Sequence, residues 1–289
     1  MKRIDGIILI VISAATFGTL PIFGLFAYAN GLDTITFLFL RFLFATILMA
    51  FLMVLRHEPL PRGRILGMLI LMGALGYAAQ AFTYLSAVKY ASAGLVALLL
   101  YLYPTFVVIL SAIFLQEKVT RMKIIALLLA LVGTALTVGP AGGQLKGVIL
   151  AIASALIYSI YIIVGSGVMK HVSAIQSSTV IFASAGVVYG IMILTNGPHL
   201  PTSNTGWLVI AGTVIFATVI PVTTFLAGLE RIGPSNAAML STLEPVVTVF
   251  LAAVLLNEQL EPITLVGGVL IISAVVMLSR SELKPALST

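Results

Sequence analysis

Cysteine is absent, and charge is scarce: Asp, Glu, Lys and Arg make up only 8% of the 289 residues. Without cysteine there is no disulfide framework and no thiolate metal site. A soluble domain covers its surface with about 25% charged residues. This chain cannot, so its outer surface must face lipid. The three histidines (His57, His171 and His199) all fall in polar connections. The Gly165-Ser166-Gly167 sequence therefore has no histidine within an apolar segment to act as its base. No pair of aspartates lies in the apolar segments either, so the chain is not expected to be an enzyme. No catalytic residue, metal site or cofactor is assigned. The net charge of +6 comes from basic residues scattered singly, without a stripe or aromatic interleaving. That pattern argues against a nucleic-acid partner.

What is present is hydrophobic: 61% of residues are apolar. A membrane-spanning helix needs about 20 such residues. Apolar runs bounded by charge and turn signals give ten spans, at 6–28, 34–55, 65–86, 93–115, 124–139, 147–168, 174–194, 206–227, 234–256 and 263–279. The amino terminus has the basic start and apolar run of a signal peptide. The run continues past Phe26 without a convincing cleavage site, and it is read as the first span. Alternate connections differ sharply in charge. One set carries Lys2, Arg3, Arg56, Arg62, Arg64, Lys118, Arg121, Lys123, Lys170, Arg231, Arg280 and Lys284; the other carries Lys89 and Lys146. Basic residues are retained on the cytoplasmic side. Both termini are therefore expected to be cytoplasmic, in a bacterial-type inner membrane.

A shift of 141 residues lays the chain on itself without a gap. Gly6 meets Gly147, Pro104 meets Pro245, and Glu117 meets Glu258. Residues 102–117 and 243–258 share an L-x-P start, an apolar run and an L-x-E end. Each half holds five spans. Because five is odd, the second half enters the membrane from the opposite side, as an inverted repeat. The expected architecture is all-α, with one five-helix repeat at 1–140 and an inverted one at 141–289 ending in a short cytoplasmic tail. The junction Gly139-Pro140-Ala141-Gly142-Gly143 is not a P-loop, since no Gly-Lys-Ser/Thr follows it.

With this twofold pattern, Arg41-Phe42 in the second span, Glu244-Pro245 in the ninth and the L-x-E endings, the chain resembles the EamA-type transporters of the drug/metabolite transporter superfamily. The resemblance covers residues 5–280. It implies ten helices around a central cavity, and export of amino acids (aromatic ones in some members) or related metabolites. The chain departs from a strict repeat at one telling position: Tyr103 stands in the first half where Glu244 stands in the second.

Glu244 is the one carboxylate deep within a span, about ten residues from either end. A charge there costs about 2.5–3.5 kcal/mol on insertion scales, so it is expected to face a cavity or a partner. Its readings are a proton or substrate-amine site, or a structural ion pair. Arg41 could snorkel to the interface, bind a substrate carboxylate or pair with Glu244. Glu117 and Glu258 are expected to fix turns, with Thr120 and Glu261-Pro262 starting the next helices. Pro21, Pro104, Pro221 and Pro245 lie inside spans and should kink them. Tyr77, Tyr101, Tyr161, Thr218, Thr223 and Thr224 add polar groups to apolar runs. Gln80, Tyr84, Tyr103 and Tyr158 are deep enough to line a pocket with Glu244, between spans 1, 3 and 4 and their counterparts 6, 8 and 9. Gly186-x-x-x-Gly190 suggests close helix packing. The expected activity is secondary transport by alternating access. Protons are a candidate coupling ion, and the expected assembly is a monomer or weak homodimer. The alternatives are a lipid or nucleotide-sugar carrier of the same superfamily, or a passive channel.

Overall fold

A computed structural model describes residues 2–87, 89–91, 93–138, 144–256 and 261–283. The 139–143 junction, Glu258 and Lys284 lie outside the described residues. Fifteen helices follow one another with short connections. They are α1 (Lys2–Phe17), α2 (Leu20–Ala29), α3 (Thr34–Leu55), α4 (Gly63–Leu71), α5 (Ala78–Ala87), α6 (Ala93–Leu100), α7 (Tyr103–Phe114) and α8 (Arg121–Val138), then α9 (Leu145–Val168), α10 (Ala174–Asn196), α11 (Asn204–Val214), α12 (Ile220–Ile232), α13 (Pro234–Leu240), α14 (Glu244–Leu256) and α15 (Pro262–Leu283). Several join end to end, and among the described residues nine helical stretches are long and apolar enough to cross a bilayer. The 18-residue α8 stands beside them and packs along α15. Large apolar side chains cover the outside, such as Phe51, Leu75, Ile113, Leu194 and Val269. This is the surface that lipid requires and water would not tolerate.

Proline explains where the spans break. Pro21, Pro104, Pro221 and Pro245 each stand in the first turn of a helix that resumes after an interruption. In that position the missing N–H is tolerated, and the ring cannot clash with an uninterrupted preceding turn. Thr120 accepts a bond from the Lys123 backbone N–H at the start of α8, and Pro262 opens α15.

Positions 141 apart do the same things. A π-helical turn at Met72–Tyr77 joins α4 to α5, and one at Ile215–Val219 joins α11 to α12. Tyr103 begins α7 and Glu244 begins α14. The Ser13 hydroxyl donates to the Pro221 carbonyl at 2.8 Å, and the Ser154 hydroxyl donates to the Gln80 carbonyl at 3.0 Å. Helix α1 packs on α12 as α5 packs on α9. Small residues allow the close crossings. A Cβ on Gly133 would lie 2.7 Å from the Gly267 carbonyl, which brings α8 and α15 into backbone contact. Gly186 and Gly190 face Phe42 and Phe39, so that motif seats α10 on α3.

Candidate functional site

The interrupted spans α6–α7 and α13–α14 cross near their breaks, and their two halves behave differently. Toward the end that carries most of the basic connections, α7 packs directly on α13. All seven residues of α13 are buried. Toward the other end, among the described residues, no packing of comparable extent joins α6 to α14. Within α14 only Pro245 is buried. Among the described residues the two interrupted spans are therefore packed closely at the basic end and less closely at the opposite one. Glu244 is the first residue of α14, where the fully buried stretch ends.

Glu244 is half-buried, as are Gln80, Tyr84 and Tyr158; Tyr101 and Tyr103 are buried. The carboxylate lies within electrostatic reach of Tyr77, Tyr84, Tyr101, Tyr103 and Tyr158. Its backbone is held close to the first span. A Cβ on Gly18 would lie 2.9 Å from the Glu244 carbonyl, and the Thr248 hydroxyl donates to the Gly18 carbonyl at 2.9 Å. The counterpart of Gly18 is Ser159, whose hydroxyl donates to the Tyr103 carbonyl at 3.1 Å. Both helix starts are thus pinned from the same relative position. The Tyr103 hydroxyl reaches the Ala238 carbonyl at 3.4 Å, across the closed end.

The tyrosines form a chain of ring contacts. Tyr103 meets Tyr158 edge-on at 4.8 Å, Tyr158 stacks on Tyr161 at 5.9 Å, and Tyr161 lies 5.9 Å from Tyr77. Tyr77 then meets Phe42 at 5.4 Å. Sequence depth alone selected Gln80, Tyr84, Tyr103 and Tyr158 and set Tyr77, Tyr101 and Tyr161 aside. The helical spacing Tyr77, Gln80, Tyr84 and Ser154, Tyr158, Tyr161 could have grouped them, since each set shares one helix face. Gln80 is partly committed already: its amide nitrogen donates to the Ser154 hydroxyl at 3.2 Å. Thr223 and Thr224 bond back to carbonyls of their own helix and so do not offer free hydroxyls to the crevice.

Arg41 and Glu244 form no ion pair with each other among the described residues. Arg41 is buried, and its Nε donates to the Thr218 hydroxyl at 2.7 Å. Its Nη2 donates to the Ala217 carbonyl at 3.0 Å and the Tyr77 hydroxyl at 3.2 Å. The cause is local. Pro221 has no N–H, so the π-helical turn before it is one backbone donor short. The guanidinium supplies one, at the Ala217 carbonyl. Tyr77 and Thr218 are themselves 141 residues apart, so Arg41 clasps the same position in both halves. Snorkelling to the interface is likewise overturned by its burial.

Glu117 does more than end a helix. It pairs with the buried Lys123 ammonium at 2.6 Å and accepts from the Ser235 hydroxyl of α13 at 2.7 Å. This contact ties the α7–α8 connection to α13 at the closed end. At the same end, Ser173 donates to Glu58, and the Gln176 amide donates to the Pro59 carbonyl at 2.7 Å. Among the described residues no cluster of three or more metal-binding side chains occurs.

The sequence is similar to that of an uncharacterized transporter from Archaeoglobus fulgidus, at 28% identity over 94% of this chain and 95% of that protein. It is similar to an uncharacterized transporter from Bacillus subtilis at 25% identity, over 91% of this chain and 88% of that one. A protein from Streptantibioticus cattleyicolor named "Probable terminal-alkyne amino-acid exporter" is 27% identical over 77% of this chain and 76% of its own length. A solved crystal structure superposes with a TM-score of 0.84 at 20% identity, covering 99% of this chain and 100% of that one, which shows a shared fold. The family description "EamA-like transporter family" matches twice, at residues 4–139 and 145–280. Nearly the whole of this multi-pass membrane protein is thus accounted for, and the chain belongs to the EamA-like transporter family.

Proposed function

We propose that this transporter exports small amphipathic metabolites, amino acids first among them, by alternating access around the Glu244 crevice. The observation that carries the reading is the uneven crossing of the interrupted spans. Packing of α7 on α13 joins the spans at one end, and among the described residues no packing of comparable extent joins α6 to α14 at the other. Two halves with the same internal contacts, entering the membrane in opposite senses, can exchange these arrangements. Ten spans follow when α8 is counted with the nine apolar stretches, and the exchange unit is the five-helix repeat. The binding residues are Gln80, Tyr84, Tyr103, Tyr158 and Glu244, with Arg41 as a structural clasp. The charge asymmetry of the connections supports cytoplasmic termini, which makes this an outward-facing arrangement in a bacterial-type inner membrane. The relative named as an amino-acid exporter supports the substrate class. The family and these relatives are transporters, which fits a chain that is not an enzyme.

Uptake into proteoliposomes with an amino-acid panel, with and without a pH gradient, tests the reading. Saturable flux that is stimulated by substrate on the far side marks a carrier. Linear flux without such stimulation would identify a channel. No movement of any amino acid would remove that substrate class. In Glu244→Gln, loss of pH-driven accumulation with surviving exchange at equal pH would assign proton coupling to this carboxylate.

A further inference from the structure

The site carries a carboxyl group and aromatic rings, and no cation is paired with that carboxyl among the described residues. Among the described residues the Glu244 side chain receives no hydrogen bond and forms no ion pair. Among the described residues Arg41 is the sole Lys or Arg far from a helix end, and its guanidinium is turned to Thr218, Ala217 and Tyr77. The remaining cations of the described residues lie in connections or within about a turn of helix ends. An uncompensated carboxylate at this depth is costly, so the site gains most from a cation brought by its ligand. Tyrosine faces attract an ammonium further. Among the described residues, the polar side chains grouped with Glu244 (Gln80, Tyr84, Tyr101, Tyr103 and Tyr158) carry uncharged hydroxyl and amide donors.

We infer that this site recognises its substrate through a cationic amine and provides no cation for a substrate carboxylate. Simple monoamines of aromatic or medium-sized apolar compounds then bind at least as well as the matching amino acids. The inference rests on the proposed binding role of the crevice and narrows it. An ammonium approaching Glu244 replaces hydration with a charge-assisted hydrogen bond. Tyr84, Tyr101 and Tyr158 lie within electrostatic reach of that carboxyl group. For a zwitterion, the carboxylate group adds repulsion from Glu244 without a compensating partner, so its removal does not weaken binding.

The test is equilibrium binding to the purified full-length protein of phenethylamine, phenylalanine and 3-phenylpropionate, which share one ring and differ in charge. Phenethylamine is expected to bind at least as tightly as phenylalanine, and 3-phenylpropionate at least tenfold more weakly. Glu244→Gln is expected to cost the amine at least tenfold and the acid little, whereas Glu244→Asp keeps most of the preference. The wild-type ranking stands on its own if a variant fails to fold. An acid that competes as well as the amine overturns the inference, as does a folded Glu244→Gln protein whose amine affinity stays within twofold. Transport of phenylalanine into proteoliposomes without an amine preference would overturn this inference and leave the transport reading intact. Failure of all three to bind or move would overturn both.

Discussion

Ser235→Ala removes one hydroxyl and tests whether the basic end of the bundle is held shut by specific bonds. Ser235 is almost fully buried, and its partner Glu117 is only 24% exposed in its side chain. Solvent therefore screens the contact weakly. A hydrogen bond to a charged acceptor contributes about 1.5–3 kcal/mol. The bond joins α13 to the α7–α8 connection, so it exists only while these elements are packed together. Its loss should raise the population open at the basic end by about 10- to 150-fold, at 1.4 kcal/mol per decade. The absence of cysteine allows a clean readout. Ala238, on α13, is 0% exposed, so a cysteine there should react with an impermeant maleimide only when α13 leaves α7. Reagent applied from the basic-connection side should label Ala238→Cys very slowly. Adding Ser235→Ala should speed labelling about tenfold or more. An unchanged rate in a folded, active double variant would refute the reasoning.

Gly133→Val should drive α8 off α15, because even its Cβ would lie 2.7 Å from the Gly267 carbonyl. A loss of about 1–3 kcal/mol is expected in thermal unfolding, whereas Gly167→Ala, with nothing within 4 Å of the new Cβ, should be near neutral. Arg41→Met leaves the Ala217 carbonyl and Tyr77 hydroxyl without their donor and should cost about 2–4 kcal/mol of stability. Because Arg41 does not pair with Glu244, combining it with Glu244→Gln should add within about 0.5 kcal/mol, and strong coupling in a double-mutant cycle would contradict the clasp. Tyr90, in the connection after α5, accepts a 2.9 Å hydrogen bond from the Lys146 ammonium, which together with that charge lowers its pKa. The phenolate's stabilising contribution is present above the ordinary value of about 10 and is lost as pH falls through the lowered one; Lys146→Met should move the phenolate absorbance titration to higher pH. A topology reporter at Thr202 should read as outside the cytoplasm and one at the carboxyl terminus as inside, and matching readings would contradict the orientation.

The helices were readable because lipid leaves so few alternatives: a run of about 20 apolar residues between charged connections admits one conformation. The interruptions were readable from Pro21, Pro104, Pro221 and Pro245, whose missing donors act locally. Arg41 was harder. Its partners Ala217 and Thr218 are 176 and 177 residues away, and the need they meet arises from Pro221, on a different helix. Hydropathy places Arg41 at a depth but says nothing of which carbonyl has lost its donor. The π-helical turns at 72–77 and 215–219 also left no mark in the apolar pattern, since hydropathy does not distinguish a π-helical turn from an α-helical one. Glu117 was placed correctly at a helix end, but its bond to Ser235 depends on a crossing that local sequence does not contain.

Arg41 has a further consequence, because the residue at its counterpart position is Phe182. In the proposed alternating-access exchange, perfectly equivalent halves would make the two states equal in energy, each the other's counterpart across the membrane. A single arginine clasping Tyr77 and Thr218 from one side makes them unequal, and so does a single lysine behind Glu117. Such inequality cannot drive net flow, which only a gradient can do. It does set how often each face is presented to its solution. The affinity measured from the rarely presented face is weakened by the fraction of time that face is open. Two solutions facing the same binding residues would then measure different apparent constants, and the ratio between them is written in the few positions where the second half of the chain failed to copy the first.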